Sequence, residues 1–344
     1  MTEAKNENPE NVTSQPDAND RRDFMKLSAA MLGVGVMASC TNGGETAHHT
    51  PAVSAKSDAF HGVGPGELDD YYGFWSGGQS GEIRILGVPS MRELKRIPVF
   101  NRDSATGWGG TDFSKELLNN QMSGDTHHVH LSYKDGTYDG RYIYVNDKAG
   151  ARLARVRIAT MEVDKITSIP NSQGTHGIFP QRHNTGYVFC NSEFRTPQLN
   201  DGRDMEDQTK YGAMHTAIDG ETMEVKWQVM VEGNMDLCAT DYKGLYSFAI
   251  CYNSEGGVRL EEMMAADQDF LYVFNLAEIE KGIKAGDTIQ LGGATVIDAR
   301  GKDSKYVLRV PVPKSPHGVN IDPTGKYAMC SGKLSPTVTV VDLD

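Results

Sequence analysis

Short runs of aromatic and β-branched residues, each entered from a polar, glycine-bearing turn, recur along the chain. Asp139-Gly-Arg-Tyr-Ile-Tyr-Val-Asn146, Asn184-Thr-Gly-Tyr-Val-Phe-Cys-Asn191 and Thr324-Gly-Lys-Tyr-Ala-Met-Cys-Ser331 share this plan. Each predicts a buried strand following a tight turn. Downstream of two of them come Thr160-Met-Glu-Val163 and Thr222-Met-Glu-Val225, preceded by Val156 and Ile158 in one case and by Ala217 and Ile218 in the other. A looser copy of that turn, Pro89-Ser90-Met91, joins Ile83–Leu86 to Leu94–Pro98. A helical pattern stands out once, from Leu276 to Ala285, with Glu278, Glu280 and Lys281 on its solvent side.

Units of several short antiparallel strands, returning at intervals near the blade length of propellers, predict an all-β protein built as a β-propeller. The innermost strand of each blade lines a central channel, so residues recurring at its head converge on the axis. Here the recurring residue is histidine. His127-His128 precedes the first unit, His176-Gly177 the second and His317-Gly318 the third. Neutral imidazole suits copper, zinc, iron or nickel, and an all-histidine set without thiolate favours copper or zinc. Adjacent histidines on an extended strand point to opposite faces, so His127 and His128 serve one ion only through a backbone twist; a multinuclear centre suits them better. His130, two residues on, reads as a packed or hydrogen-bonded neighbour. Asp125 and Asp236 are candidate partners that fix imidazole tautomers, against a plain reading as turn and cap residues.

The 344 residues include 37 glycines and 14 prolines, which fits a turn-rich β fold with a large core. A net charge of −12 argues against a nucleic-acid surface. Of five cysteines, Cys190, Cys238, Cys251 and Cys330 follow the amino-terminal segment, and no two form a C-x-x-C pair. A thiolate zinc or iron-sulfur site is therefore unsupported, and a disulfide cannot be assigned. Cys190 and Cys330 hold equivalent strand positions in the repeat, where a small buried residue packs well.

The amino terminus reads as an address. Arg21-Arg22 precedes an apolar stretch from Leu27 to Ala38 that is too short to span a membrane, the pattern of a twin-arginine export signal. A periplasmic protein is expected. Met37-Ala38-Ser39-Cys40 fits either a lipoprotein box, with Cys40 acylated as a lipid anchor, or an ordinary cleavage site. Residues 1–40 are thus taken as signal, 41–65 as a flexible tether and 66–344 as the propeller portion.

Asp125 to Tyr142, Ile169 to Gly177, Cys251-Tyr-Asn-Ser-Glu255, Val310 to Gly318 and Gly332-Lys-Leu-Ser-Pro-Thr337 together resemble the nitrous-oxide reductase family, in order from about Gly66 onward. The resemblance implies a seven-bladed propeller whose axis holds a tetranuclear copper-sulfide cluster on seven histidines, and two-electron reduction of nitrous oxide to dinitrogen and water, the final step of denitrification. His127, His128, His176 and His317 match four of the seven. The other three, and a carboxy-terminal cupredoxin domain with a dinuclear copper centre, fall beyond Asp344. The chain accordingly reads as an incomplete amino-terminal portion, short of the full centre. The resemblance further implies a calcium ion at Tyr252, Glu255, Met263, Asp269 and Ser315, where Ser315 stands in place of a common asparagine. It implies a cytochrome or cupredoxin electron donor and a homodimer. From residues alone, Glu255, Glu261, Glu262, Asp267 and Asp269 read as an ordinary solvated acidic loop. Two further classes stay open: an inactive propeller serving as a binding platform, and a zinc hydrolase, which lacks a general base in the spacing known for zinc proteases.

Overall fold

A computed structural model describes residues 63–121, 123–252, 259–265, 268–301 and 304–344. The predicted export signal with Cys40, and residues 41–62 of the tether, lie outside the described residues. Strands β1 (Tyr71–Ser76), β2 (Glu82–Val88) and β3 (Glu93–Pro98) form an antiparallel meander. Helix α1 (Asp112–Leu118) leads into a second sheet of β4 (Thr126–Lys134), β5 (Thr137–Asp147), β6 (Arg152–Arg157) and β7 (Glu162–Ser168). The third sheet opens with β8 (Gln173–Pro180) and β9 (Tyr187–Phe194), then the two-residue β10 (Thr196–Pro197), β11 (Tyr211–Asp219) and β12 (Val225–Val231). The fourth takes β13 (Asn234–Thr240), β14 (Tyr246–Tyr252) and, after α2 (Leu260–Ala265), β15 (Asp269–Asn275). The chain then makes α3 (Leu276–Ala285) and the hairpin β16 (Ile289–Leu291) and β17 (Ala294–Asp298) before β18 (Val307–Val312) joins β15. A fifth sheet is β19 (Pro316–Ile321), β20 (Tyr327–Gly332) and β21 (Val338–Asp342). The fold is an all-β propeller, as the repeat predicts.

The apolar runs of β5, β9 and β14 each feed two cores, which explains why they do not alternate with polar positions, whereas in β20 only Ala328 and Cys330 are buried and Tyr327 and Met329 are exposed. In β5, Ile143 and Val145 pack toward Ile83 and Ile97 of the first sheet and Phe100 just after it, whereas Tyr144 between them packs with Ile178 and Val188 of the third. In β9, Val188 and Cys190 face the second sheet, and Phe189 faces Ala249 and Phe274 of the fourth. In β14, Phe248 and Ile250 meet Val319, Ala328 and Cys330 of the fifth sheet, and Ala249 faces back to the third. A middle strand with a sheet on each side must be apolar on both faces. Cys190 and Cys330 hold matching positions on second strands, and all four described cysteines are buried free thiols.

The recurring methionine turns are real equivalents. Met91, Met161 and Met223 sit at φ 56°, 56° and 62°, each at the turn between the last two strands of a meander. The first polar turn needs correcting: β4 and β5 are joined at Asp135-Gly136, with φ 51° and 78°, and Asp139-Gly140 lies inside β5. Ser132 of β4 donates across the pair to the Asp139 carboxylate, which keeps the hairpin zipped beyond the expected corner. Helix α3 occupies its predicted span, capped by Asn275 accepting from the Glu278 amide and closed at Gly286 (φ 77°). Glu280 is only half solvent-facing, since Tyr187 Oη donates to it at 3.2 Å. The β16–β17 hairpin after it departs from a simple meander, pairing β17 parallel to β12 at the outer edge of the third sheet.

Candidate metal centre

Strands β4, β8, β13 and β19 are the first strands of four successive sheets and pack side by side. All four lose register with their partner near the same end. The slips fall between Thr126 and Val129, Thr175 and Ile178, Met235 and Cys238, and Pro316 and Gly318. Extra residues opposing a shorter partner segment bend the strand and re-aim side chains. The residues so re-aimed are His127-His128, His176-Gly177, Asp236-Leu237 and His317. The twist that a shared His-His site requires is therefore present in β4.

The rings converge. His127 Nε2 lies 2.8 Å from His176 Nε2, and one ligand atom from each of His127, His128 and His176 falls within 4.8 Å of the others. The His317 ring centre is 6.0 Å from that of His176, nearly parallel to it at 18°. Asp236, fully buried on β13, reaches both: its Oδ1 is 2.5 Å from His176 Nδ1 and its Oδ2 is 3.0 Å from His317 Nδ1. Lys333 Nζ donates to the same Oδ2 at 2.9 Å. Burial opposes ionisation of Asp236, but the close approach of His176 and hydrogen bonds from Lys333 and His317 prevail and hold its carboxyl well below the usual range. With Nδ1 of His176 turned to the carboxylate, its Nε2 is the atom that meets His127.

The other imidazoles are kept neutral. Burial first, then repulsion from His176 and His127, pushes His128 down to about 3. Burial, with His176 and Lys148 adding repulsion, also lowers His127. The Nε2 of His128 is buried without a hydrogen-bond partner among the described residues. An orphaned lone pair beside two other ring nitrogens is costly in a metal-free core and suits a bound cation. The donor set thus fits a copper or zinc-type ion.

Two asparagines shape this centre, although the sequence offered them only as ends of repeat units. Asn146 accepts from the His128 amide at 2.6 Å and donates to the carbonyls of Thr175 and His176 at 2.6 and 2.8 Å. Asn191, at the same place one sheet later, donates to the Asp236 carbonyl at 3.0 Å. Both sit where a bulged strand has lost its ladder partners, and their shared place in the repeat was the available signal. Beside His176, Glu193 lies 4.0 Å from Nδ1 and pairs with Lys148 at 2.9 Å.

Other candidates are placed differently. The His130 ring packs on Phe179 with centres 4.5 Å apart and is not one of the three that converge, and burial, with Arg182 adding repulsion, pushes it down to about 4. Asp125 ties the strand entry through its backbone, its amide donating to Asp147 and its carbonyl accepting from Lys148, and its charge reaches His127 only through space. Of the calcium set, Asp269 and Ser315 meet: the Ser315 amide, at φ 52°, donates to the buried Asp269 carboxylate. Tyr252 ends β14, Met263 lies in α2 with its backbone alone described, and Glu255 lies outside the described residues.

The family model "Nitrous oxide reductase propeller repeat 2" matches residues 169–237, which run from the entry of β8 into β13. The chain is 48% identical to a nitrous-oxide reductase of Stutzerimonas stutzeri over 94% of its length and 52% of the relative's. It is 47% identical to one of Pseudomonas fluorescens over 100% of its length and 55% of the relative's. With one of Ralstonia nicotianae the identity is 44%, over 95% and 55%. The chain thus spans about half the length of these relatives. Among solved structures, Kuenenia stuttgartiensis hydrazine synthase shares the fold at a TM-score of 0.52 and 14% identity, over 79% of this chain and 62% of that one.

Proposed function

By sequence this chain belongs to the nitrous-oxide reductase family, and we propose from that premise that its axial histidines hold copper for reduction of nitrous oxide to dinitrogen and water. The observation that carries the reading is the convergence of His127, His128 and His176 at the bulges of neighbouring inner strands, with His317 alongside. Copper bound at these histidines would relay two electrons from a donor, which with two protons reduce nitrous oxide to dinitrogen and water. The chain's own residues do the preparation. Burial keeps His127 and His128 unprotonated and available as ligands. Asp236 takes the Nδ1 side of His176 and His317, fixing ring orientation before any ion arrives. Lys333 balances that buried charge.

The same reading extends to four cluster ligands completed by further histidines in a tetranuclear copper-sulfide centre, to a calcium ion near Asp269 and Ser315, and to an electron donor of cytochrome or cupredoxin type. It extends also to a homodimer and to periplasmic export by the twin-arginine route, with Cys40 a lipid anchor or a cleavage-site residue. The test is copper content and visible absorption of the protein purified from a denitrifying host, compared with the His127→Ala, His176→Ala variant. Copper with a sulfide-to-copper band in the parent, lost in the variant, supports the reading. A copper-free parent, or zinc at the histidines, refutes it.

A further inference from the structure

Behind the cluster runs a hydrogen-bonded line that begins in the core between the third and fourth sheets. His215 of β11 is fully buried, its ring lying flat between Phe189 (centres 5.0 Å apart, 14°) and Phe274 (3.9 Å, 12°). Its Nε2 is 2.8 Å from Ser247 Oγ on β14, and its Nδ1 is 2.7 Å from Asn191 Oδ1 on β9. Asn191 Nδ2 in turn donates to the carbonyl of Asp236 at the β13 bulge.

The direction of every bond in this line is forced. A carbonyl only accepts, so the Asn191 amide must turn its nitrogen to Asp236 and its oxygen to His215. His215 must then carry its proton on Nδ1, leaving Nε2 to accept from the Ser247 hydroxyl. Packing alone does not call for this residue, because a phenylalanine fills an aromatic sandwich without two buried polar atoms to satisfy. The neighbouring sheet supplies the comparison. There Asn146 does the equivalent job with its oxygen fixed by the His128 backbone amide. At Asn191 the corresponding donor is the imidazole of His215.

We propose that His215 is a positioning residue for the axial histidines: its Nδ1–H fixes the amide of Asn191, which fixes the bulge carrying Asp236, whose carboxylate orients His176 and His317. The inference rests on the copper reading of the axial cluster.

The experiment compares His215→Asn with His215→Gln in the full chain. Both remove the ring from the sandwich. The shorter amide can keep a donor at the Nδ1 place toward Asn191; the longer one reaches the Nε2 place toward Ser247. Cuprous ion is titrated into each metal-free protein against a competing chelator, with melting temperature recorded in parallel. The expected result is near-parental affinity for His215→Asn and about tenfold weaker binding for His215→Gln, at similar melting temperatures. Equal affinities in the two variants overturn the proposal. Should neither variant fold, nitrogen NMR of the histidine-labelled parent decides it: Nδ1–H at His215 is required, and the Nε2–H tautomer overturns it. A parent that binds no copper refutes the copper reading instead, while the tautomer still tests the line itself.

Discussion

Gly177 is held so close to Asp236 that a methyl group on its α-carbon would stand 2.5 Å from the Asp236 carbonyl oxygen and 2.8 Å from the Cys238 amide. The obstruction is backbone, which cannot swing aside as a side chain can. Gly177→Ala should therefore force β8 away from β13, destabilising the fold by about 1–3 kcal/mol as overpacking does and separating His176 from Asp236. Thermal unfolding and copper titration measure the two effects. Unchanged melting and binding would show that the strands have slack there.

Asp236→Ala removes the acceptor shared by His176 and His317 and leaves the Lys333 ammonium without its buried partner. Copper affinity should fall roughly 10–100-fold. Asp236→Asn keeps an oxygen for one ring and should fall less. The order of the two affinities is the check, and an asparagine as damaging as alanine would assign the effect to charge rather than ring orientation.

Asn146→Ala strands three buried backbone groups, the His128 amide and the carbonyls of Thr175 and His176. A buried group left unsatisfied costs about 1–3 kcal/mol, so urea unfolding should register at least that loss. A smaller loss would mean that water enters the β4 bulge.

Burial alone pushes His215 down to about 3, from 6.5 in the unfolded chain. Below 6.5 the unfolded state takes up a proton that the folded state refuses until about pH 3. The contribution of His215 to stability is thus intact above pH 6.5 and is lost as pH falls through that window, at up to about 1.4 kcal/mol per unit. His127, His128 and His130 act in the same direction. His215→Phe removes only its own share, so the unfolding free energy of the parent, measured from pH 7.5 to 4.5, should fall relative to that of the variant as pH drops. Parallel curves would contradict this.

Met91 and Met223 share one turn geometry but differ in burial, at 55% and 3% exposed. Met91→Gly relieves a left-handed backbone at no packing cost and should stabilise by up to about 1 kcal/mol. Met223→Gly relieves the same strain but empties a core position, so it should destabilise by roughly 2 kcal/mol or more. Opposite shifts in melting temperature are the expected signature.

The repeat of turn and apolar run, with Met91, Met161 and Met223 as its second beat, determined the propeller, because strand periodicity and turn chemistry are local properties of the chain. The apolar runs of β5 and β9 likewise announced buried strands, although that both of their faces are covered was decided by the sheets on either side. His127, His128, His176 and His317 were visible as recurring residues, and Asp236 as a candidate beside them. Only the tertiary structure decided that they meet. Bringing adjacent histidines of one strand to one side takes a bulge, and a bulge is set by pairing with the next strand rather than by the residues within it. Asn146, Asn191 and His215 matter because each bonds a residue from a strand far along the sequence. Such contacts leave no periodic trace, since they are fixed by how neighbouring sheets pack around a common axis.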